Sequence, residues 1–340
     1  METRNSSNDG ELNCVAIGGG NGLSTLLSGL KTFVGKADSL PRIRSLSAIV
    51  AVSDDGGSSG RLRDELHMPP PGDIRNCMVA LSEDSHLLSR LFRHRFKGEG
   101  QLSGHSFGNL FLAALSEITG DFAEAVKLSS EILASKGHIY PATISDVHIA
   151  ATLKDGTTVL GETQIGRVGP QISRLYLEPE ECAPMPEALD AIHNADIVTV
   201  GPGSLYTSLL PPLLVKGVCK AIAASSAVKV MVCNLMTQPG ETDGMTSRKH
   251  VEIIREYASD LRFDYVIVNN KPITPLQAEK YIHEGAEQIG LHGSIEKATL
   301  DDAAIVADDL LATGLKVRHH PEKLARAVLA CAGRDWDRPF

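Results

Sequence analysis

Apolar residues in this chain gather in short unbroken runs: 14-CVAIG, 46-LSAIVAV, 196-DIVTVG, 229-KVMVCNL and 264-DYVIVNN. Runs of that length without polar alternation predict strands buried on both faces, and so a mainly parallel sheet covered by helices on each side. Every run ends in a loop rich in Gly, Ser, Asp or Asn. In open parallel sheets the ligand crevice lies outside the carboxyl ends of the strands, so these loops are expected to converge on one site. Two regions break the rhythm. Helical spacing near 73-DIRNCMVALS, 86-HLLSRLFRHRF, 106-SFGNLFLAAL and 122-FAEAVKLSSEIL predicts a helical cap over residues 67–135. Residues 143–178 alternate β-branched and polar positions around Lys154-Asp155-Gly156, which predicts a small antiparallel β insertion. The expected architecture is α/β and Rossmann-like. A disordered tail over 1–13 precedes a single domain over 14–340, with no internal repeat.

Composition narrows the function. The chain has 340 residues, 42% hydrophobic and 4% aromatic, enough for a sizeable core. A net charge of -9 argues against a nucleic-acid surface, which needs clustered Lys and Arg to neutralise phosphates. The six cysteines form no C-x-x-C pair, as expected in a reducing compartment. The start METRNSSNDGELN lacks the apolar core of a signal peptide, and no apolar run approaches the ~20 residues that cross a bilayer. A cytoplasmic protein without membrane insertion is expected.

The loops carry the candidate chemistry. In 18-GGGNGLSTLLSGL a glycine turn (Gly19, Gly20, Asn21, Gly22) opens into a helix whose free N–H groups suit a phosphate. Leu23 stands where a dinucleotide fingerprint needs a third glycine, which weakens an NAD reading. A tight turn needing glycine for backbone reasons alone is the alternative. The second strand ends in 50-VAVSDDGGSSGRLRDEL. There Ser53, Asp54 and Asp55 precede Gly56, Gly57, Ser58, Ser59 and Arg61, a stretch fit to wrap an anion. Alternatively, Asp54 and Ser58 cap the following helix. In 69-PPPGDIRNCMVAL, Asp73 falls near a helix start with Arg75 and Asn76 in the first turn. Asp73 is either an N-cap or, opposite one of the Asp54-Asp55 pair, a ligand of a hard cation such as Mg²⁺. In 103-SGHSFGNLFLAAL the phosphate-loop pattern recurs at a helix start, with His105, Ser106 and Asn109 on the entry turn, and a neutral His105 either donates to a phosphate or caps the helix. Arg90, Arg93, His94 and Arg95 form a basic cluster, either a solvated helix face or a binding patch. After 201-GPGSLYTSLLPPLL, with Gly203 and Ser204, comes 234-NLMTQPGETDGMT. Its Asn234, Thr237 and Gln238 suit sugar or base edges.

Taken in order, GGGNGLSTLLSGLK, AVSDDGGSSGRLRDEL, PPPGDIRNCMVALS, LSGHSFGNLFLAAL, GPGSLYTSLLP and NLMTQPGETDG resemble the gluconeogenesis factor family, the YvcK-like proteins. That family is similar in turn to CofD, the 2-phospho-L-lactate transferase of deazaflavin coenzyme synthesis. The resemblance implies a Rossmann-like homodimer that binds UDP-sugars, notably UDP-N-acetylglucosamine. It also implies a role in growth and cell shape on gluconeogenic carbon sources, with cell-wall synthesis or signalling proteins as partners. Analogy with CofD places metal ligation on Asp55 and Asp73, with Mg²⁺ as the cofactor of an alternative phosphotransferase activity. Tyr281 and Arg318 resemble the family's base-stacking aromatic and diphosphate-binding arginine.

Overall fold

The computed structural model describes residues 11–35, 41–83, 86–290, 299–300 and 302–332. Among the described residues eleven strands form two sheets. The larger contains β1 (Glu11–Gly18), β2 (Arg42–Val50), β3 (His138–Pro141), β7 (Ile197–Val200), β8 (Val228–Val232), β9 (Tyr265–Asn269), β10 (Thr299–Leu300) and β11 (Ala303–Asp308). The smaller is an antiparallel insertion of β4 (His148–Leu153), β5 (Thr158–Leu160) and β6 (Ile172–Glu178), within the expected 143–178. Seven strands of the large sheet run parallel, and only edge strand β10 is antiparallel. Their order is β10-β11-β9-β8-β7-β1-β2-β3.

The unbroken apolar runs are explained by burial on both faces. Along β1, Cys14 and Ala16 join the core containing Leu23, Leu26 and Leu27, whereas Val15 and Ile17 join the opposite core with Leu205 and Leu209. β1 begins at Glu11, inside the stretch expected to be tail. Leu12 is buried there, and β1 pairs in parallel with Arg42 and Ile43 of β2. Residues 1–10 lie outside the described ones.

The chain builds outward from β1 to β2 and β3, then returns to the other side of β1 with β7, β8, β9 and β11. The sheet therefore has its switch point between β1 and β7, where two loops diverge from the strand ends and leave a crevice. The helix α1 (Gly20–Leu30) leaves β1 at that crevice. After α2 (Gly57–Leu66), the expected cap over 67–135 contains α3 (Gly72–Leu81), α4 (His86–Arg93), α5 (Phe107–Thr119) and α6 (Phe122–Ile132). α1 packs against α3 and against the helix Pro321–Ala330. A Cβ at Gly29 would lie 2.0 Å from the Pro321 carbonyl oxygen and 3.0 Å from Ala325. Gly29→Ala is therefore expected to lower the unfolding free energy by about 1–3 kcal/mol, read as a shifted urea midpoint.

Among the described residues no single helix is long and apolar enough to cross a membrane. All six cysteines are free.

Candidate functional site

A cavity of about 440 Å³ opens at the switch point. Its floor is the glycine turn after β1, its walls the loops after β7 and β8, and its rim Tyr281, Val317, Arg318 and His319. Of the residues singled out in the sequence, Gly19, Gly20, Asn21, Gly22, Gly203, Ser204, Asn234, Thr237, Gln238, Tyr281 and Arg318 all line it. Segments some 300 residues apart are thus brought to one place, as the strand-end rule requires.

Several of these side chains shape the cavity by bonding the backbone. Asn234 clamps Gly203, accepting from its N–H at 3.0 Å and donating to its carbonyl at 2.7 Å. The Thr237 hydroxyl accepts from the Glu287 N–H at 2.8 Å. The Tyr281 hydroxyl accepts from the Val317 N–H at 3.0 Å, fixing the segment that carries Arg318. The Arg318 guanidinium is exposed at the rim.

Carboxylates gather at one side of this cavity. Asp73 is not an N-cap. It lies in the first turn of α3, and its Oδ2 accepts the Gly20 N–H at 2.7 Å, at the left-handed residue that starts α1. A Cβ at Gly19 would meet that oxygen at 2.5 Å. Asp54 accepts from the Gly56 N–H at 2.8 Å, and its other oxygen would lie 2.8 Å from a Cβ at Gly72. Burial, and then the charge of Asp54, push the Asp73 carboxyl up to about 6.

Asp55 faces elsewhere. It accepts from the N–H and hydroxyl of Thr163, at 3.3 and 3.2 Å, and sits where a Cβ at Gly161 would be. Asp54 is thus the carboxylate beside Asp73, and Asp55 docks the β insertion. Asp54 and Asp73 suit Mg²⁺, which needs only one or two protein carboxylates when a substrate phosphate completes its shell. Among the described residues no group of three or more His, Cys, Asp or Glu side chains is arranged to hold a metal.

The docked insertion delivers a residue that sequence reasoning missed. Glu162, at the start of the short helix α7 (Glu162–Ile165), lines the cavity. Burial, followed by the charges of Asp54 and Asp73, raises it to about 8. Its Oε1 is within hydrogen-bond distance of the Thr207 hydroxyl at 3.1 Å, and Thr207 lies 2.7 Å from the Ser204 hydroxyl. Ser204 in turn donates to Glu241, a buried carboxylate that also accepts the Tyr206 N–H at 2.9 Å. Burial raises Glu241 as well. Two carboxyls are thus joined through two hydroxyls, one end in the cavity and the other in the core.

The remaining expected ligand residues lie outside the cavity lining, in the cap beside it. Ser58 bonds His105 Nδ1 at 3.0 Å and accepts from Asn109 Nδ2 at 3.1 Å, tying α2 to α5. Ser106 is the N-cap of α5, accepting from the Asn109 N–H. All four of these side chains are buried, as are Ser53 and Ser59. Gly56 is the N-cap of α2 and Gly57 its first residue, with φ +49°. Arg61 donates to the Ser103 carbonyl at 2.8 Å. Arg75 donates to Asn76 Oδ1 at 2.7 Å, and the Asn76 side chain bonds Asp73.

A family model described as 2-phospho-L-lactate transferase CofD matches residues 14–311. The chain is 45% identical over 322 residues to the gluconeogenesis factor of Halalkalibacterium halodurans, covering 93% of this chain and 95% of that protein. It is 42% identical over 314 residues to the gluconeogenesis factor of Bacillus subtilis, covering 92% and 96%. A solved structure of a UPF0052 family member from Bacillus halodurans matches with a TM-score of 0.87 at 45% identity, covering 94% of this chain and 99% of that one. With the sheet order, the switch-point cavity and these matches in agreement, the chain belongs to the CofD family and, within it, to the gluconeogenesis factors.

Proposed function

We propose that this chain is a cytoplasmic UDP-sugar-binding regulatory factor, with UDP-N-acetylglucosamine as a ligand. In this reading it supports growth and cell morphogenesis on gluconeogenic carbon sources. It works as a homodimer whose ligand state is read by cell-wall synthesis or signalling proteins. The observation that carries the reading is the cavity at the switch point. At about 440 Å³ it is in the usual range of small-molecule sites. It combines a glycine-turn helix start for phosphate, an arginine at the rim, and a tyrosine ring for a base. The relatives' name, gluconeogenesis factor, supports the physiological setting.

A second reading, a Mg²⁺-dependent phosphotransferase, is favoured by the CofD match and by Asp54 and Asp73 beside the glycine turn. Bound there, Mg²⁺ would neutralise charge on a diphosphate.

Arg318→Ala and Tyr281→Ala are each expected to weaken UDP-N-acetylglucosamine binding about tenfold or more, read by ligand-induced shift of the melting temperature. The ligand should be recovered intact after long incubation with protein and Mg²⁺. Release of UMP, or transfer to an added acceptor, would replace the regulatory reading with the phosphotransferase one.

A further inference from the structure

Beside the cleft, on the far side of Asp54 and Asp73, lies a group of cations that the proposed function does not use. Arg61 from α2 and Arg95 after α4 donate to the consecutive carbonyls of Ser103 and Gly104. Arg75 from α3 lays its Cγ and Cδ against Gly108 in the first turn of α5, where a Cβ would approach them to 2.9 Å. Three arginines from separate segments are thereby fixed around one loop, residues 103–108. Arg93 is close enough for its charge to act on Arg75.

This arrangement is costly without an anion. Like charges in proximity repel, and here burial, then Arg95, lower Arg75 from its ordinary range, with Asp73 and Asp54 opposing in part. Among the described residues none of Arg61, Arg75, Arg93 and Arg95 forms an ion pair, whereas Arg42, Arg44, Arg63, Arg174 and Arg326 all do. Asp73 and Asp54 act on Arg75 through their charge without an ion pair, Asp54 holding the Gly56 N–H and Asp73 the Gly20 N–H and Asn76. Arg75 has only the neutral Asn76 oxygen as a partner, and its Nε is buried with none. A buried guanidinium nitrogen without a partner costs free energy until an acceptor arrives.

We infer that this cluster is a binding site for a small phosphomonoester, separate from the cleft proposed for the nucleotide sugar. A monocarboxylate would satisfy one guanidinium fork. A dianionic phosphate, with three acceptor oxygens, matches several forks arriving from different directions.

The test uses the full chain and inorganic phosphate as probe, with sodium chloride and succinate at matched ionic strength as controls. Phosphate is expected to raise the melting temperature saturably and well beyond either control. Arg318→Ala, which disables the cleft, should keep this response. The double variant Arg75→Met with Arg95→Met should weaken it about tenfold or more, the loss expected for charge-assisted forks. If that double variant fails to fold, Arg61→Met and Arg93→Met, both at exposed positions, should each weaken phosphate binding severalfold. A response no greater than chloride, or one matched by succinate, would overturn the inference. So would a response lost in Arg318→Ala yet unchanged in the cluster variants, which would place the phosphate in the cleft and leave the nucleotide-sugar reading untouched.

Discussion

Gly22→Ala is expected to abolish UDP-sugar binding while lowering the unfolding free energy by about 1–3 kcal/mol. A Cβ at this position would lie 2.2 Å from the Pro202 carbonyl oxygen, 2.6 Å from its carbon and 3.0 Å from the Gly203 nitrogen. All three are backbone atoms, and the loop has little room to yield. The Gly201 N–H donates to the Ile17 carbonyl at 3.0 Å, and Asn234 grips both the N–H and the carbonyl of Gly203. The start of α1 must therefore move away, taking with it the Gly20 N–H that Asp73 holds. The cavity floor and the loop after β7 would separate together, so stability and binding are lost by one displacement. A urea midpoint and a UDP-N-acetylglucosamine titration read the two effects. A variant with the wild-type midpoint and affinity would show that the two loops are not packed as described.

Glu162→Gln is expected to flatten the pH dependence of stability. In the folded chain burial and two acidic neighbours hold the Glu162 proton to about pH 8, against an ordinary value of 4.5. An acid raised on folding binds its proton more tightly in the native state, so its contribution is most favourable at low pH. Between 4.5 and 8 unfolding releases that proton, and stability falls as pH rises, by at most about 1.4 kcal/mol per unit. Asp73 adds the same sign between its ordinary 3.8 and about 6. Glutamine mimics the protonated carboxyl and still accepts from Thr207, so it removes the larger slope. At pH 8 the variant should be more stable than wild type by on the order of 2 kcal/mol, with the difference shrinking toward pH 5. Urea unfolding at four or five pH values decides this. Parallel curves for the two proteins would mean that Glu162 titrates as an ordinary surface carboxylate.

The sequence made the sheet legible where strands are buried on both faces, since only β-length apolar runs fit there. β11 escaped notice because its residues beyond Ala303 are only half-buried and alanine-rich. β3 is four residues long, with a proline at its end. The cleft was legible in its glycine turns and in the polar residues after β7 and β8. Which of Asp54 and Asp55 lies beside Asp73 was not, because β2 ends at Val50 and the irregular backbone of 51–56 breaks strand alternation. Asp55 is spent on an insertion more than a hundred residues later, at Thr163. That docking also explains why Glu162 was missed: in GETQIG it reads as a solvated glutamate, and only the tertiary contact turns it into the cavity. At His105, Ser106 and Asn109 the sequence leaves capping and anion binding open, because both use the same donors and acceptors at a helix start. The deciding partner, Ser58, comes from a different helix.

The central claim is that the switch-point cavity holds a nucleotide sugar, and the most direct measurement is calorimetric titration of the wild-type chain with UDP-N-acetylglucosamine, UDP and NAD. The expected result is saturable one-site binding of UDP-N-acetylglucosamine, weaker binding of UDP and none of NAD, with the affinity for UDP-N-acetylglucosamine about tenfold or more weaker in Arg318→Ala. Absence of UDP-N-acetylglucosamine heat, or equal binding by wild type and Arg318→Ala, would contradict the account.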